Sequence, residues 1–137
     1  MTSDEAVDLI RDAGFGMLAT VEGNQPRVRP MMPYLTEDNE LIVALLGRSR
    51  TITQVKANEN IEICFVDRKM WYCRIAGKGI ISEDKEKKEI LWNNIPMLKQ
   101  YFGGIEDPNF VLMEVKITEA EAMTPHDKTP TQVEIKN

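Results

Sequence analysis

The chain opens with apolar residues at helical spacing. Thr2 and Glu5 stand three residues apart in the form of a capping box, a pattern that is typical of a helix start. Gly14 follows the apolar run, and glycine commonly ends a helix because it readily adopts a left-handed backbone. The pattern therefore predicts a short amphipathic helix with apolar positions at Ala6, Val7, Ile10 and Ala13.

A β-hairpin is predicted next. Residues Phe15 to Val21 are rich in strand-forming types, Glu22 to Gln25 has turn composition, and Pro26 to Leu35 is a second extended segment. Pro30 and Pro33 lack the backbone N–H that a central strand would donate. The second strand is therefore expected to lie at an edge, to be bulged, or to be open on one side where a ligand could lie.

The rest of the chain alternates between strand and helix patterns. Leu41 to Leu46 is an unbroken apolar run, as in a fully buried strand, and helical spacing begins at Ser49. About six strands joined in hairpins predict a mainly β, antiparallel sheet that closes toward a barrel with helices over its openings. The other predicted elements are strands at Ile61 to Val66, at Met70 to Ser82, from Phe110 onward and at Gln132 to Ile135, and helices at Asp84 to Trp92 and Pro96 to Phe102.

Length, charge and hydrophobicity bear on the number of domains and on which partners are excluded. The 137 residues are the length of one ordinary domain, so we expect a single domain over residues 1–137 with a C-terminal tail at 124–137. The net charge of −5 repels polyanions, which argues against a nucleic-acid partner. The apolar run Leu41 to Leu46 is too short to span a membrane, and the acidic amino terminus is unlike a secretory signal. These features indicate a cytoplasmic protein with no membrane partner.

Cysteine and histidine are scarce, and both residue types bear on chemistry. His126 is the single histidine and lies in a polar tail between prolines, so we expect it to be exposed and to form no metal site. A two-residue turn at Arg68 and Lys69 would place Cys64 directly opposite Cys73 as neighbouring free thiols. A redox pair at these two cysteines is a minor hypothesis.

Candidate chemistry is concentrated in a group of arginines. Arg27 and Arg29 are two residues apart on a strand and project from the same face, while Ser49 and Arg50 open a helix. Free amides at a helix start favour an anion such as phosphate, and arginine adds a bidentate donor. With Arg48, these residues indicate an anion site. The alternative is that the arginines lie on the surface and pair with Glu and Asp, and spacing alone does not separate the two interpretations.

Three blocks of sequence occur in a fixed order: Phe15-x-Met17-Leu18-Ala19-Thr20-Val21-x-Gly23-x-Gln25-Pro26-Arg27-Val28-Arg29-Pro30-Met31, then Ser49-Arg50-x-x-x-Gln54-x-x-x-Asn58-x-x-Ile61, then Tyr72-x-Arg74-x-x-Gly77. Together they resemble the pyridoxamine 5′-phosphate oxidase-like proteins, which are FMN-binding split barrels, and among them the short, general-stress-protein-like members. The resemblance covers roughly residues 1 to 118, and three ordered blocks are more specific than any one of them.

The resemblance implies a six-stranded, antiparallel split β-barrel with two to four helices, and a homodimer with FMN at its interface. It implies a small oxidoreductase of unassigned substrate, in which the flavin carries the electrons or hydride and no side chain is a nucleophile. Arg29 matches an arginine that contacts the FMN phosphate, and Pro30 to Met32 match a stretch along the isoalloxazine ring. The residues placed at the cofactor are Arg29, Pro30, Met31, Met32, Leu45, Ser49, Arg50, Thr51, Gln54 and Tyr72.

The chain also departs from the family pattern. Leu45 and Leu46 stand where many relatives have Thr-Asn facing the flavin, and Thr51 stands where full-length oxidases have a second basic residue; both changes remove polar contacts and predict weaker FMN binding. A non-enzymatic, dimeric ligand-binding or stress-related protein with weak or no flavin binding is therefore an alternative. Relatives with this barrel also hold deazaflavin or haem, and the single histidine makes haem the weakest of these ligands.

Two further expectations concern substrate. The chain ends in Thr129 to Asn137, without the basic carboxy-terminal segment of true pyridoxamine phosphate oxidases, so that activity is not assigned to it. Arg74 could contact a substrate or stabilise a reduced flavin, but an arginine on a barrel strand is at least as often part of a structural ion pair.

Overall fold

The computed structural model describes residues 1–136 and begins with the predicted helix, α1 (Ser3–Ala13). The Glu5 N–H donates a hydrogen bond of 3.1 Å to Oγ1 of Thr2, and the Thr2 N–H donates one of 2.9 Å to Oε1 of Glu5. Gly14 ends the helix in the left-handed region, at a φ of 75°. The predicted capping box and helix end are therefore confirmed.

Strands make up most of the regular secondary structure in the described chain. In chain order the elements after α1 are β1 (Gly16–Glu22), β2 (Gln25–Met31), β3 (Tyr34–Leu35), β4 (Leu41–Leu46), α2 (Arg50–Ala57), β5 (Asn60–Val66), β6 (Tyr72–Ser82), α3 (Lys85–Asn94), α4 (Leu98–Tyr101), β7 (Phe110–Met123) and β8 (Thr131–Gln132). The six longer strands are those that the sequence predicted. The two-residue strand β3 is the separated end of the predicted segment Pro26 to Leu35, and β8 overlaps the strand predicted at Gln132 to Ile135 at Gln132 alone.

These strands form one antiparallel sheet that curls into a half-barrel. Its order within residues 1–136 is β2-β1-β5-β6-β7-β4-β3, and β8 pairs with the end of β7. The mainly β, antiparallel fold class is confirmed. Because β2 lies at one end of this order, the prediction that the strand with Pro30 is an edge strand is also confirmed.

Two buried clusters hold the sheet, one on each face. The inner cluster packs α1 and α2 against side chains such as Leu18, Phe65 and Met113, which are at most 1% exposed. The outer cluster packs α3 and α4 against the other face of β4 and β7 and includes Ile42 and Phe110. β4 is therefore buried on both faces over most of its length, as its apolar run predicted, but its last residue, Leu46, is 45% exposed.

The predicted pairing of Cys64 with Cys73 is wrong. In the β5–β6 hairpin Cys64 lies opposite Arg74, and Cys73 lies opposite Phe65. The turn is longer than two residues because Oδ1 of Asp67 accepts hydrogen bonds from the N–H groups of Lys69 and Trp71. The two thiols consequently face opposite sides of the sheet.

Burial also affects the chemistry of the buried thiol. It raises the pKa of Cys73 to about 12, so this thiol stays protonated at neutral pH.

The C-terminal tail returns to the sheet. β8 lies beside β7, and Val133 is buried in the inner cluster. His126 is exposed in the intervening turn, as expected. The last residue of the predicted tail, Asn137, lies outside the described residues. Over residues 1–136 we find no helix with the length and apolar character needed to cross a membrane.

Candidate functional site

A groove of about 450 Å³ lies where the end of β2 meets the start of α2 and helix α4. Its rim carries the apolar side chains of Phe15, Leu46, Met97 and Tyr101, which are unusually exposed for their type. The fold thus joins two segments that the sequence predicted to share a site. The predicted residues that line the groove are Arg29, Pro30, Met31, Met32, Ser49 and Thr51.

The amino terminus of α2 opens toward this groove with its capping group unused. Ser49 lies in extended backbone at the N-cap position, but its side chain makes no cap hydrogen bond. Its Oγ is buried and has no hydrogen-bond partner within residues 1–136. The first turn of α2 contains no acidic residue. Free amides, the positive end of the helix dipole and an unpaired hydroxyl together favour an anion at this position.

Arg29 is held in place by buried polar side chains. Its Nη1 donates to Oγ1 of Thr20 at 2.8 Å, and its Nη2 donates to Oε1 of Gln54 at 2.7 Å. The Thr20 hydroxyl donates to the same Gln54 oxygen at 2.6 Å, and Thr20 and Gln54 are almost fully buried. Burial, and then the charges of Arg27 and Arg50, lower the pKa of Arg29. Arg29 therefore brings a fixed, partly desolvated positive charge to the groove.

A carboxylate occupies the solvent side of this cluster. Nη2 of Arg50 donates to Glu22 at 2.8 Å, Arg27 donates through Nε and Nη2 at 3.1 and 3.0 Å, and Nε2 of Gln54 donates at 3.2 Å. The hydrogen bond from Arg50, followed by those from Gln54 and Arg27, lowers the pKa of Glu22 to about 2. The alternative that the arginines lie on the surface and pair with carboxylates therefore holds for Arg27 and Arg50. Arg29, by contrast, lines the groove.

Arg48 does not join this cluster. Its charge acts instead on Asp107, whose pKa is lowered first by hydrogen bonds from the Gly103 and Asn109 backbones and then by Arg48. The Gly47 N–H donates to the Asn109 carbonyl at 2.8 Å, so this loop supports the turn that precedes α2. Arg48 therefore lies near Asp107 and not in the group of arginines with which the sequence analysis placed it.

Leu45 does not face the groove. Its side chain is 1% exposed and belongs to the inner cluster, whereas the groove is lined by Ala44 and Leu46. The expectation that a Leu45 side chain takes the place of a flavin-facing hydroxyl is corrected because successive residues of β4 point to opposite faces. Leu46, which is 45% exposed, is the residue that makes this wall apolar.

Tyr72 lies apart from the groove within the described chain. Its hydroxyl contacts Sδ of Met123 at 3.4 Å, and its ring lies 6.0 Å from the guanidinium carbon of Arg74. Nε of Arg74 donates to Oε2 of Glu121 at 3.0 Å, and that hydrogen bond is the first cause of the raised pKa of Arg74. Arg74 thus forms the structural ion pair that the sequence left as an alternative.

Sequence reasoning missed Thr20 and Glu22 as members of the site. The composition of residues 22–25 predicts a turn that includes Glu22, but Glu22 is the last residue of β1 and lies opposite Gln25. The available signal was alternation along β1, which places Thr20 and Glu22 on the face of Leu18, and in the hairpin Arg27 lies opposite Thr20 and Arg29 opposite Leu18. No comparable sequence pattern indicated that Met97 and Tyr101, at helix α4, would lie at the rim of the groove.

The arrangement is suited to binding a phosphorylated, partly apolar ligand. Arg29, Ser49 and the start of α2 offer donors for an anion, and the walls beside them offer an apolar surface for a ring. In the part of the chain that the structure describes, no three His, Cys, Asp or Glu side chains are grouped to hold a metal ion.

Comparison with known proteins identifies the family. The model of the family "Pyridoxamine 5'-phosphate oxidase like" matches residues 2–136. General stress protein 26 of Bacillus subtilis (strain 168) is 25% identical over 138 residues, which cover 96% of this chain and 94% of that protein.

Solved structures agree with this assignment. General stress protein 26 from Bacillus anthracis str. Sterne has a TM-score of 0.79 and 29% identity, over 88% of this chain and 92% of that one. A pyridoxamine 5'-phosphate oxidase-related, FMN-binding protein from Nostoc punctiforme PCC 73102 shares the fold, with a TM-score of 0.72 and 20% identity over 94% of this chain and 85% of that one. The chain therefore belongs to the pyridoxamine 5'-phosphate oxidase-like family.

Proposed function

We propose that the groove binds FMN, with its phosphate at the start of α2 beside Arg29 and its ring along Pro30 to Met32. The observation that carries this proposal is the buried, unpartnered Oγ of Ser49 at a helix start that has no acidic residue in its first turn. A phosphate oxygen would satisfy that hydroxyl and the free amides together. The groove volume of about 450 Å³ is within the usual range for a small-molecule site.

The residues of the groove would position the cofactor. Arg29 and Ser49 would bind its phosphate, while the backbone of Pro30 to Met32 and the side chain of Leu46 would restrict water at its ring. A bound FMN supplies hydride or electron transfer, which is the basis for proposing a small oxidoreductase of unassigned substrate. The FMN-binding relative from Nostoc punctiforme, which has the same fold, supports this choice of cofactor.

We also propose a homodimer in the cytoplasm, with the flavin at its interface. The outer face of β1, β5 and β6 carries the half-buried apolar side chains of Met17, Cys64 and Tyr72, and none of these three belongs to either buried cluster of residues 1–136. A second copy of the chain would cover this face. The family resemblance implies that Tyr72 contacts the flavin, and Tyr72 lies apart from the groove of its own chain, so we propose that it would reach the groove of the partner subunit.

A second candidate is a dimeric binding protein without enzymatic activity. Two observations favour it: Glu22 already pairs with Arg27 and Arg50, and Leu46 presents an apolar surface where a polar contact with the flavin is expected. In this case the groove would bind FMN weakly or not at all, and the apolar rim would contact another small molecule.

The first experiment is an absorbance spectrum of the purified protein, recorded before and after incubation with FMN and desalting. We expect retained flavin bands in stoichiometric amount in the wild type and strongly reduced bands in Arg29→Glu, which places a carboxylate at the phosphate position. Substitution of an exposed arginine outside the site, Arg68→Glu, is the matched control and should leave the bands unchanged. If FMN neither remains bound nor binds in an equilibrium titration, the second candidate replaces the first.

A further inference from the structure

The arginine cluster beside the groove has two halves that meet at one side chain. The carbonyl oxygen of Gln54 accepts the hydrogen bond from Arg29 at 2.7 Å, and the amide nitrogen of Gln54 donates to Glu22 at 3.2 Å. Arg29 lines the groove, while the Arg27 and Arg50 side chains are 44% and 72% exposed. The cluster therefore has an inner half at Arg29 and an outer half at Arg27 and Arg50.

The two halves differ in whether an anion is already present. In the inner half, the Ser49 hydroxyl has no hydrogen-bond partner among residues 1–136, and Arg29 contacts only neutral acceptors in Thr20, Gln54 and a backbone carbonyl. In the outer half, the Glu22 carboxylate accepts hydrogen bonds from both exposed arginines. An incoming anion finds an unpartnered hydroxyl and an arginine without a bound anion in the inner half, whereas in the outer half both arginines already bind a carboxylate.

The position of Glu22, rather than the net charge of the cluster, separates the two kinds of ligand. Three arginines and one glutamate leave two positive charges, and a terminal phosphate and a diphosphate linkage each carry a charge of about −2 at neutral pH. A second phosphate, linked to the first and extending toward solvent, would reach the outer half and meet the Glu22 carboxylate. Like charges in such proximity oppose binding.

We propose that Glu22 is a built-in anion that fills the outer half of the cluster and makes the groove selective for a ligand with a terminal phosphomonoester over one with a diphosphate linkage. This inference rests on the proposed function for the position of the first phosphate. Glu22 is thus a specificity-determining residue, and Arg27 and Arg50 bind it in the place that a second phosphate would otherwise take.

The test compares FMN with FAD by isothermal titration calorimetry at low ionic strength, in the wild type and in Glu22→Gln. We expect the wild type to bind FMN more tightly than FAD. In Glu22→Gln the affinity for FAD should rise at least about tenfold, the factor of one charge-assisted hydrogen bond, while the affinity for FMN rises less than about threefold. An equal change for both flavins would overturn the proposal, because it would mean that Glu22 acts only through the general field.

Two controls separate this inference from the proposed function. Glu37→Gln removes an exposed turn carboxylate of the same type, outside the cluster, and should leave the FMN-to-FAD ratio unchanged. If the wild type binds neither flavin, FMN binding is refuted, and titration with inorganic diphosphate and inorganic phosphate then tests Glu22 by itself. A gain of diphosphate over phosphate binding in Glu22→Gln supports the role of Glu22, and no gain refutes it. Thermal unfolding of each variant verifies that it is folded.

Discussion

Nη2 of Arg29 donates a hydrogen bond of 2.7 Å to Oε1 of Gln54, so the end of an edge strand is fixed by the middle of a helix. This contact matters because β2 has β1 as its one neighbour in the described sheet. The same Gln54 oxygen also accepts from the buried Thr20 hydroxyl, which sets the orientation of the amide. Gln54 is therefore a positioning residue for Arg29, and the proposed phosphate site would depend on it although Gln54 does not line the groove.

Replacement of Gln54 tests this dependence. Gln54→Leu leaves Thr20 and Arg29 without their shared acceptor, so we expect a loss of about 1–3 kcal/mol in the free energy of unfolding and at least about a tenfold loss in FMN affinity. Urea unfolding and a flavin titration measure the two quantities. The matched control is Gln25→Leu at the exposed hairpin turn, and equal effects of the two substitutions would contradict a positioning role.

Ser49 and Thr2 occupy the same N-cap position in two helices and should respond differently to alanine. Thr2 caps α1, so Thr2→Ala is expected to cost about 1 kcal/mol of stability. Ser49 makes no cap hydrogen bond, so Ser49→Ala should change stability by less than about 0.5 kcal/mol. FMN affinity should nevertheless fall roughly tenfold in Ser49→Ala and stay unchanged in Thr2→Ala. A stability loss in Ser49→Ala without a binding loss would show that the hydroxyl is a structural cap.

Leu45 and Leu46 provide a second matched pair. Leu45→Thr places a hydroxyl in the inner cluster and should cost about 1–3 kcal/mol of stability. Leu46→Thr places the same hydroxyl in the groove, so we expect little change in stability and a tighter complex with FMN. Urea unfolding and calorimetric titration of both variants check these outcomes. If Leu46→Thr does not bind FMN more tightly, the apolar wall does not limit the affinity for FMN.

The sequence was most informative where neighbouring residues determine structure. The capping box of Thr2 and Glu5, the hairpin of β1 and β2, and the doubly buried β4 follow from spacing and from local hydrogen bonds. The edge position of β2 follows from Pro30, since proline cannot donate to a second neighbour. These features determine where the groove lies, because they leave β2 without a second neighbouring strand and the groove forms at the end of β2.

The parts that the sequence did not predict depend on contacts between distant residues. The length of the β5–β6 turn is set by the side chain of Asp67, and one changed register moved Cys64 away from Cys73. The position of Glu22 depends on how α2 packs against β1, which no local pattern encodes. The pair Leu45 and Leu46 does not reveal by itself which of the two side chains faces the groove, because that depends on how β4 is oriented in the sheet.

Acid should weaken the fold through Glu22. Hydrogen bonds from Arg50, Gln54 and Arg27 lower the pKa of Glu22 from an ordinary value of 4.5 to about 2 in the folded protein. Its contribution to stability is therefore fully present above pH 4.5 and is lost as the pH falls toward 2. We expect the stability difference between the wild type and Glu22→Gln to be constant near neutral pH and to shrink below pH 4.5. Glu37→Gln has the same net charge and corrects for general repulsion; parallel curves for the wild type and Glu22→Gln would contradict the lowered pKa.

The proposed dimer makes a prediction that a monomer cannot meet. If Tyr72 contributes to the groove of the partner subunit, each site combines Arg29 of one chain with Tyr72 of the other. Arg29→Glu and Tyr72→Ala homodimers then contain two defective sites each. A mixed dimer of the two variants contains one doubly defective site and one site with both residues intact.

Co-expression of the two variants with different affinity tags allows the mixed dimer to be purified and titrated with FMN. We expect one FMN per mixed dimer, bound with wild-type affinity, and no such binding by either variant dimer. If Tyr72 acts within its own chain, both sites of the mixed dimer are defective and wild-type binding is not recovered. A monomeric protein in size-exclusion chromatography would refute the dimer directly. Restored binding would mean that the exposed face of β6 and the groove at β2 are two parts of one site, which explains why Tyr72 and Arg29 lie apart in a single chain.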